Sequence, residues 1–165
     1  MKKLLFPKAI APSVYDLNPR RLSELGIKAV ISDLDDTLTP YYNSAPNDKL
    51  CAWLAEMKER GIRVFILSNG KKRRVKPLCD KLGVECIAMA MKPLPFSFIR
   101  VFRRLGLKRE EVVFVGDQIF TDILGGNLTG LHTILVEPIA YKQSKREIKK
   151  RQLEKPFRRV AEGKV

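Results

Sequence analysis

Five short apolar runs rich in β-branched residues recur along the chain, at 27–32, 62–67, 84–90, 112–115 and 131–136. Each is too short for a core helix, and each is apolar on successive positions, as strands buried on both faces are. Between the runs, apolar residues return at helical spacing: Leu50, Trp53, Leu54 and Met57 before Gly61; Val75, Leu78 and Leu82 before Gly83; Phe98, Ile99, Phe102 and Leu105 before Gly106. A glycine at the exit is a common helix stop. Strand and helix alternate about five times, which implies crossover connections. The pattern therefore predicts an α/β chain, a Rossmann-like three-layer sandwich with a mostly parallel five-stranded sheet. No repeat or boundary interrupts it, so 1–165 reads as one domain with its core at 27–137. Residues 1–20 read as a Pro-punctuated arm plus a short helix, and 141–155 as a basic helix that Pro156 breaks.

In an open parallel sheet, ligands bind outside the carboxyl ends of the strands. After the first run stands Asp33-Leu34-Asp35-Asp36-Thr37; after the second, Ser68-Asn69-Gly70; after the third, Lys92-Pro93; after the fourth, Gly116-Asp117-Gln118, with Asp122 five positions beyond Asp117. Carboxylates gathered at one edge repel, and a hard cation such as Mg²⁺ with oxygen ligands is the usual remedy, with Asp33 and Asp117 as its partners. A hydroxyl, a loop of backbone N–H groups and a lysine then suit the oxygens of a phosphoryl group. The same string alone could be a turn or a helix cap. Four such stations in order at strand ends favour phosphotransfer. Receiver domains of signalling proteins share the ingredients, but their lysine follows the last strand and their acceptor Asp the third.

Composition narrows the setting. The chain is 45% hydrophobic and 30% charged, with no low-complexity bias, so a soluble globular domain is expected. Cys51, Cys79 and Cys86 form no C-x-x-C pair and His132 is the single histidine, which excludes a Cys/His zinc site and fits a reducing, cytoplasmic compartment. The opening apolar residues are stopped by Pro7 and Lys8, short of an export signal or membrane span, so membrane contact is expected to be peripheral, at the inner face. Lys and Arg total 32 against 18 Asp and Glu, a net +14, and residues 138–165 hold ten basic and three acidic side chains, half of that excess. Such a charge suits polyanions: anionic lipid, phosphorylated substrates or RNA.

With these residues in place the chain resembles the haloacid dehalogenase superfamily, whose four motifs occur in order as DxDxT at 33–37, Ser68, Lys92 and GDxxxxD at 116–122. Their short spacing resembles subclass IIIA, and the stretch 116–127 is similar to the YqeG-type phosphatases and their mitochondrial phosphatidylglycerophosphate phosphatase relatives. The resemblance implies that Asp33 is a nucleophile forming an aspartyl-phosphate, and that Asp35 serves as acid and then base. It implies that Ser68, Asn69 and Lys92 hold phosphoryl oxygens, and that Asp33, Asp117 and the backbone carbonyl of Asp35 bind Mg²⁺. Asp122 would lie behind the metal or orient Lys92, and Thr37 would brace the nucleophile loop. Asp36, where relatives commonly carry Gly or Asn, is expected to face solvent.

The family often inserts a cap between motifs, but here the gaps are only 30 residues (38–67) and 23 residues (69–91), each filled by a helix and a strand. The site is therefore expected to be open and capless, which suits a large substrate such as an anionic lipid head group. A soluble phosphorylated metabolite, or RNA binding on a vestigial site, are the alternatives. Lys71-Lys72-Arg73-Arg74 reads as an anion site or a solvated helix face. In the tail, Ile148, Leu153, Phe157 and Val160 form a stripe for a membrane surface or for packing on the domain. Tyr41 and Tyr42 either flank the entrance or pack. Trp53 and His132 are assigned to structure, and the cysteines to buried positions.

Overall fold

A computed structural model describes residues 2–42, 45–140 and 145–159. Six strands, β1 (Ala9–Ala11), β2 (Ala29–Ser32), β3 (Arg63–Leu67), β4 (Glu85–Ile87), β5 (Val112–Gly116) and β6 (His132–Val136), form one sheet in the order β1-β6-β5-β2-β3-β4. Every pairing is parallel. The helices are α1 (Pro19–Glu24), α2 (Asp48–Glu59), α3 (Lys72–Leu82), α4 (Pro95–Leu105), α5 (Leu124–Leu128) and α6 (Lys145–Glu154), and a π-helical turn at Ile119–Ile123 leads into α5.

The sheet has one strand more than its apolar runs predict. β1 pairs with β6, Ala9 opposite Ile134 and Ala11 opposite Val136. Ala-Ile-Ala is too short, and too poor in β-branched residues, to stand out between Pro7 and Pro12. The partner strand, through parallel pairing across most of the chain, makes it a strand.

Side chains of the central strand point alternately to two cores, as period-two geometry requires. Val30 faces Leu22 of α1, Trp53 and Met57 of α2, and Val75 and Leu78 of α3. Ala29 and Ile31 face Phe98, Val101 and Leu105 of α4. The Trp53 indole also donates to the Leu17 carbonyl at 3.2 Å, tying α2 to the N-terminal segment. α2 starts where Asn47 accepts from the Leu50 N–H at 2.9 Å. α3 and α4 end at Gly83 and Gly106, both left-handed. His132 and Cys51 are exposed, and Cys86 is half-buried; of the three thiols only Cys79 is fully enclosed. Cys51 lies on the outer face of α2, away from Leu50 and Trp53.

The register sets the site. Ser32 lies opposite Val115 on one side and Ile66 on the other. Asp33 thus leaves the sheet level with Gly116 and Leu67, one residue short of Asp117 and Ser68. The chain steps outward from β2 to β3 and β4, then returns to β5 on the far side of β2. This reversal opens a crevice at the carboxyl ends of β2 and β5. Among the described residues no helix is long and apolar enough to cross a membrane.

Phe98 carries much of the α4 layer: it is fully buried, 5.1 Å from the Phe114 ring, and packs on Gly125, where a Cβ would stand 2.6 Å from it. Phe98→Ala is expected to lower unfolding free energy by about 3–5 kcal/mol, measured by urea denaturation, since the site cannot collapse around so large a void.

Candidate active site

The loop after β2 is folded tightly on itself. The Asp33 N–H donates to the Val115 carbonyl at 2.9 Å, those of Leu38 and Thr39 to the Leu34 carbonyl, and that of Asp36 to the Thr39 carbonyl at 2.7 Å. Leu34 and Leu38 are fully buried and anchor the turn. Asp36 has φ +62°, which explains why Gly or Asn suits the position and Asp is tolerated. It does not face solvent as expected. Its side chain is buried, and Oδ1 accepts the Tyr41 N–H at 3.0 Å, so the added carboxylate finishes the turn.

Lys92 is the hub of the crevice. Its Nζ donates to Asp33 Oδ1 at 2.6 Å and Asp122 Oδ1 at 2.7 Å, with all three side chains enclosed. Asn69 fixes the lysine backbone: its side-chain NH₂ donates to the Lys92 carbonyl at 3.1 Å, and its Oδ1 accepts the Lys92 N–H at 2.7 Å. Asn69 thereby couples the end of β3 to the segment after β4. Ser68 is buried beside it, its Oγ accepting the Gly70 N–H at 2.9 Å. Asp122 also accepts the Gln118 N–H at 3.1 Å. Only glycine fits at 116, because a Cβ there would lie 2.5 Å from the Asp122 carboxylate.

Asp33, Asp117 and Asp122 each bring one carboxylate oxygen within 4.8 Å of the others, all buried. The side chain of Asp35 is not in this cluster. It turns to Arg74, which grips it with a two-pronged pair at 2.7 and 2.5 Å while lying 4.9 Å from the Tyr41 ring. This side-chain cluster does not bear on the Asp35 backbone carbonyl expected at the metal, and Asp122, expected behind the metal or orienting Lys92, joins the cluster while holding Lys92. Thr37 reaches across to Asp117, its hydroxyl donating to Oδ1 at 3.3 Å. Three hard oxygen donors clustered out of water fit a divalent cation.

The charge balance is visible in the acidities. Burial lifts Asp33 well above the usual carboxylate range, Lys92 opposes that, and the charges of Asp122 and Asp117 add to it. Asp117 is pushed up to about 7 by burial and by Asp122, against the pull of Arg151. Burial works against the charge of Lys92, yet Asp122 and Asp33 hold its pKa above the ordinary value.

The sequence reading missed the C-terminal contribution. Arg151 of α6 donates to Asp117 Oδ2 at 2.8 Å, and Arg158 to the Asp117 carbonyl at 3.0 Å. Lys150 pairs with Gln118, and buried Glu154 accepts the Phe120 N–H at 3.2 Å. Glu147, Lys150, Arg151 and Glu154 follow i, i+3, i+4, i+7 spacing, so a polar helical face was present to be read. The anticipated apolar stripe is divided instead: Ile148 and Leu153 are exposed, Phe157 packs against Phe6 and Phe120, and Val160 lies outside the described residues. The site is consequently less open than its short gaps suggested. No cap is inserted between motifs among the described residues, but α6 walls one side of a cleft of ≈ 680 Å³. The charged and aromatic lining beyond Asp33, Asp35, Asp122, Arg74 and Lys92 includes Tyr41, Lys71, Arg73, Glu147 and Lys150. Tyr42, next to Tyr41, is exposed.

A parallel sheet with this crevice and this ordered set of side chains defines a phosphatase of the haloacid dehalogenase type. Residues 41–130 match the family model described as haloacid dehalogenase-like hydrolase, and the chain belongs to that family. It is 42% identical over 140 residues to the "Probable phosphatase YqeG" of Bacillus subtilis, covering 85% of this chain and 81% of that one. Identity is 30% over 128 residues to the chloroplastic/mitochondrial phosphatidylglycerophosphate phosphatase 1 of Arabidopsis thaliana, covering 72% of this chain and 37% of that one. It is 40% over 139 residues to a glyceraldehyde 3-phosphate phosphatase of Methanopyrus kandleri, covering 76% and 58%. The chain thus spans most of the Bacillus protein but less than two thirds of the other two.

The raised pKa of Asp117 gives a signed pH effect. Its folded value of about 7 exceeds the ordinary 3.8, so without a divalent ion the native state loses stability as pH rises from about 4 to 7. In chelator, Asp117→Asn should melt higher than the parent at pH 8, and the two melting temperatures should converge toward pH 4.

Proposed function

We propose that the protein is a Mg²⁺-dependent phosphomonoesterase working through an aspartyl-phosphate, with an anionic lipid head group such as phosphatidylglycerophosphate as its substrate. The observation that carries the substrate class is the set of cations at the cleft beyond Asp33, Asp35 and Asp122, where Glu147 is the one further acidic lining residue among the described residues. Lys92 already lies against the carboxylates, yet Lys71, Arg73 and Lys150 also line the cavity. A substrate with a second anionic group beside its phosphomonoester uses them, and phosphatidylglycerophosphate has one in its phosphodiester. The likeness to the Arabidopsis phosphatase supports this reading.

In the first half-reaction an Asp33 carboxylate oxygen attacks phosphorus, the bond from phosphorus to the substrate oxygen breaks, and Asp35 gives its proton to that departing oxygen. In the second, Asp35 takes a proton from water, the resulting hydroxide attacks phosphorus, and the phosphorus–Asp33 bond breaks to release phosphate. The Arg74 fork occupies both oxygens of Asp35, so one of them has to leave the guanidinium for Asp35 to pass a proton. The Lys92 ammonium favours the ionised Asp33 needed for attack and offsets charge on the phosphoryl oxygens. Ser68 sits at the same edge, with Gly70 N–H on its hydroxyl. Asp33, Asp117 and Asp122 would hold Mg²⁺, which when bound supplies compensation for phosphoryl charge.

Phosphate release from phosphatidylglycerophosphate in mixed micelles, compared with sugar and triose phosphates, tests the reading. Turnover should favour the lipid, stop in chelator and vanish in Asp33→Asn, while Asp35→Asn should lower kcat about 10²–10⁴-fold. Turnover of triose phosphate with the lipid untouched would move the assignment to the second reading, a soluble phosphorylated metabolite, which the likeness to the Methanopyrus enzyme favours.

A further inference from the structure

The segment carrying Lys92 also carries a run of exposed apolar side chains near the site. Phe96 is 70% exposed and Met89 and Met91 64% each, with Leu94 and Ile99 also in solvent. Met89 and Met91 have φ of +51° and +55°, a left-handed conformation that methionine seldom adopts. The backbone is held so by the Met89 N–H on the Gly70 carbonyl and the Ala90 N–H on the Ser68 carbonyl, both at 3.0 Å. Ala90 and Lys92 go inward as a result, and the two methionines go outward. Unfavourable backbone held in place beside a functional group invites a functional reading.

Helix α4 continues the rim. Its inner face is Phe98, Val101 and Leu105, whereas its outer face runs from Phe96 and Ile99 to exposed Arg100 and Arg103. From 86 to 109 the chain contains no Asp or Glu, and across the cleft exposed Lys71 and Arg73 add more positive charge. A second copy of this chain would bring like charges together at this patch. An anionic surface would not.

We propose that the rim formed by Met89, Met91, Leu94, Phe96 and Ile99 docks the protein on an anionic phospholipid bilayer. These side chains enter the boundary between head groups and acyl chains, and Arg100, Arg103, Lys71 and Arg73 meet lipid phosphates. Met91 adjoins Lys92, so a bilayer seated here presents its phosphates at the mouth of the cleft. The proposal builds on the lipid reading of the substrate, yet the two can fail separately. Met suits such a surface because its side chain adapts to irregular apolar surroundings.

Cosedimentation with vesicles of phosphatidylcholine alone, or mixed with phosphatidylglycerol, provides the test, using the parent, a Phe96→Ser/Ile99→Ser variant and an Arg100→Gln/Arg103→Gln variant. The parent should bind mixed vesicles and release them as salt rises. The apolar variant should bind about tenfold or more weakly, with its turnover of p-nitrophenyl phosphate unchanged. The arginine variant should lose the preference for anionic vesicles. Equal vesicle binding by the parent and the apolar variant overturns the proposal. So does a parent that hydrolyses micellar lipid but ignores vesicles, which leaves the lipid phosphatase reading intact. A change of oligomeric state in the apolar variant, with no vesicle binding by the parent, also overturns it and makes the rim a self-interface. Vesicle binding through the rim with no lipid turnover upholds docking and removes the lipid substrate.

Discussion

Three carboxylates enclosed at one strand edge, balanced by the ammonium of Lys92 and the guanidinium of Arg151, are the constraint around which the rest is arranged. Burial and the neighbouring carboxylates raise the pKa of Asp33 and of Asp117, and an unpaired charge here would be costly to the fold. Each counter-charge is fixed from a different part of the chain. Asn69 pins the backbone of Lys92 from the end of β3, while α6 carries Arg151 across from the C-terminal side. Gly116 is empty of side chain so that Asp122 can sit against the strand and reach Lys92. Chemistry and stability thus draw on the same few contacts.

The basic character of the chain divides into two uses. Part of it is internal: Arg74 holds Asp35, Arg151 and Arg158 reach Asp117, and Lys150 meets Gln118. Part faces outward, on Lys71, Arg73, Arg100 and Arg103. Net charge alone could not separate them, because a cation count carries no information about which carboxylate each one faces. The separation comes from helical phase, which turns Arg74 inward from α3 and its neighbours outward.

Most of the architecture was legible because β2, β3, β5 and β6 are buried on both faces and so are written as apolar runs, and because αL glycines close α3 and α4. β1 was not, since the three residues Ala9, Ile10 and Ala11 acquire strand character only by pairing with β6. The placement of Asp33, Ser68, Lys92, Asp117 and Asp122 at one edge followed from their positions after strands. Asp36 was misjudged because its burial depends on a left-handed turn that no composition rule announces for Asp. Arg74 and the α6 residues were missed for a related reason. Sequence does not say which carboxylate a given cation faces, and here the partners lie 39 and 34 positions away.

α6 and the turn after it lie beyond all six strands in chain order, yet they furnish the cation beside Asp117. A nascent polypeptide emerging from the ribosome therefore completes its sheet before this neutralising side chain is available. Competence thereby waits on a segment made after the last strand, so a growing chain can assemble its scaffold without yet closing the wall of its own reaction chamber.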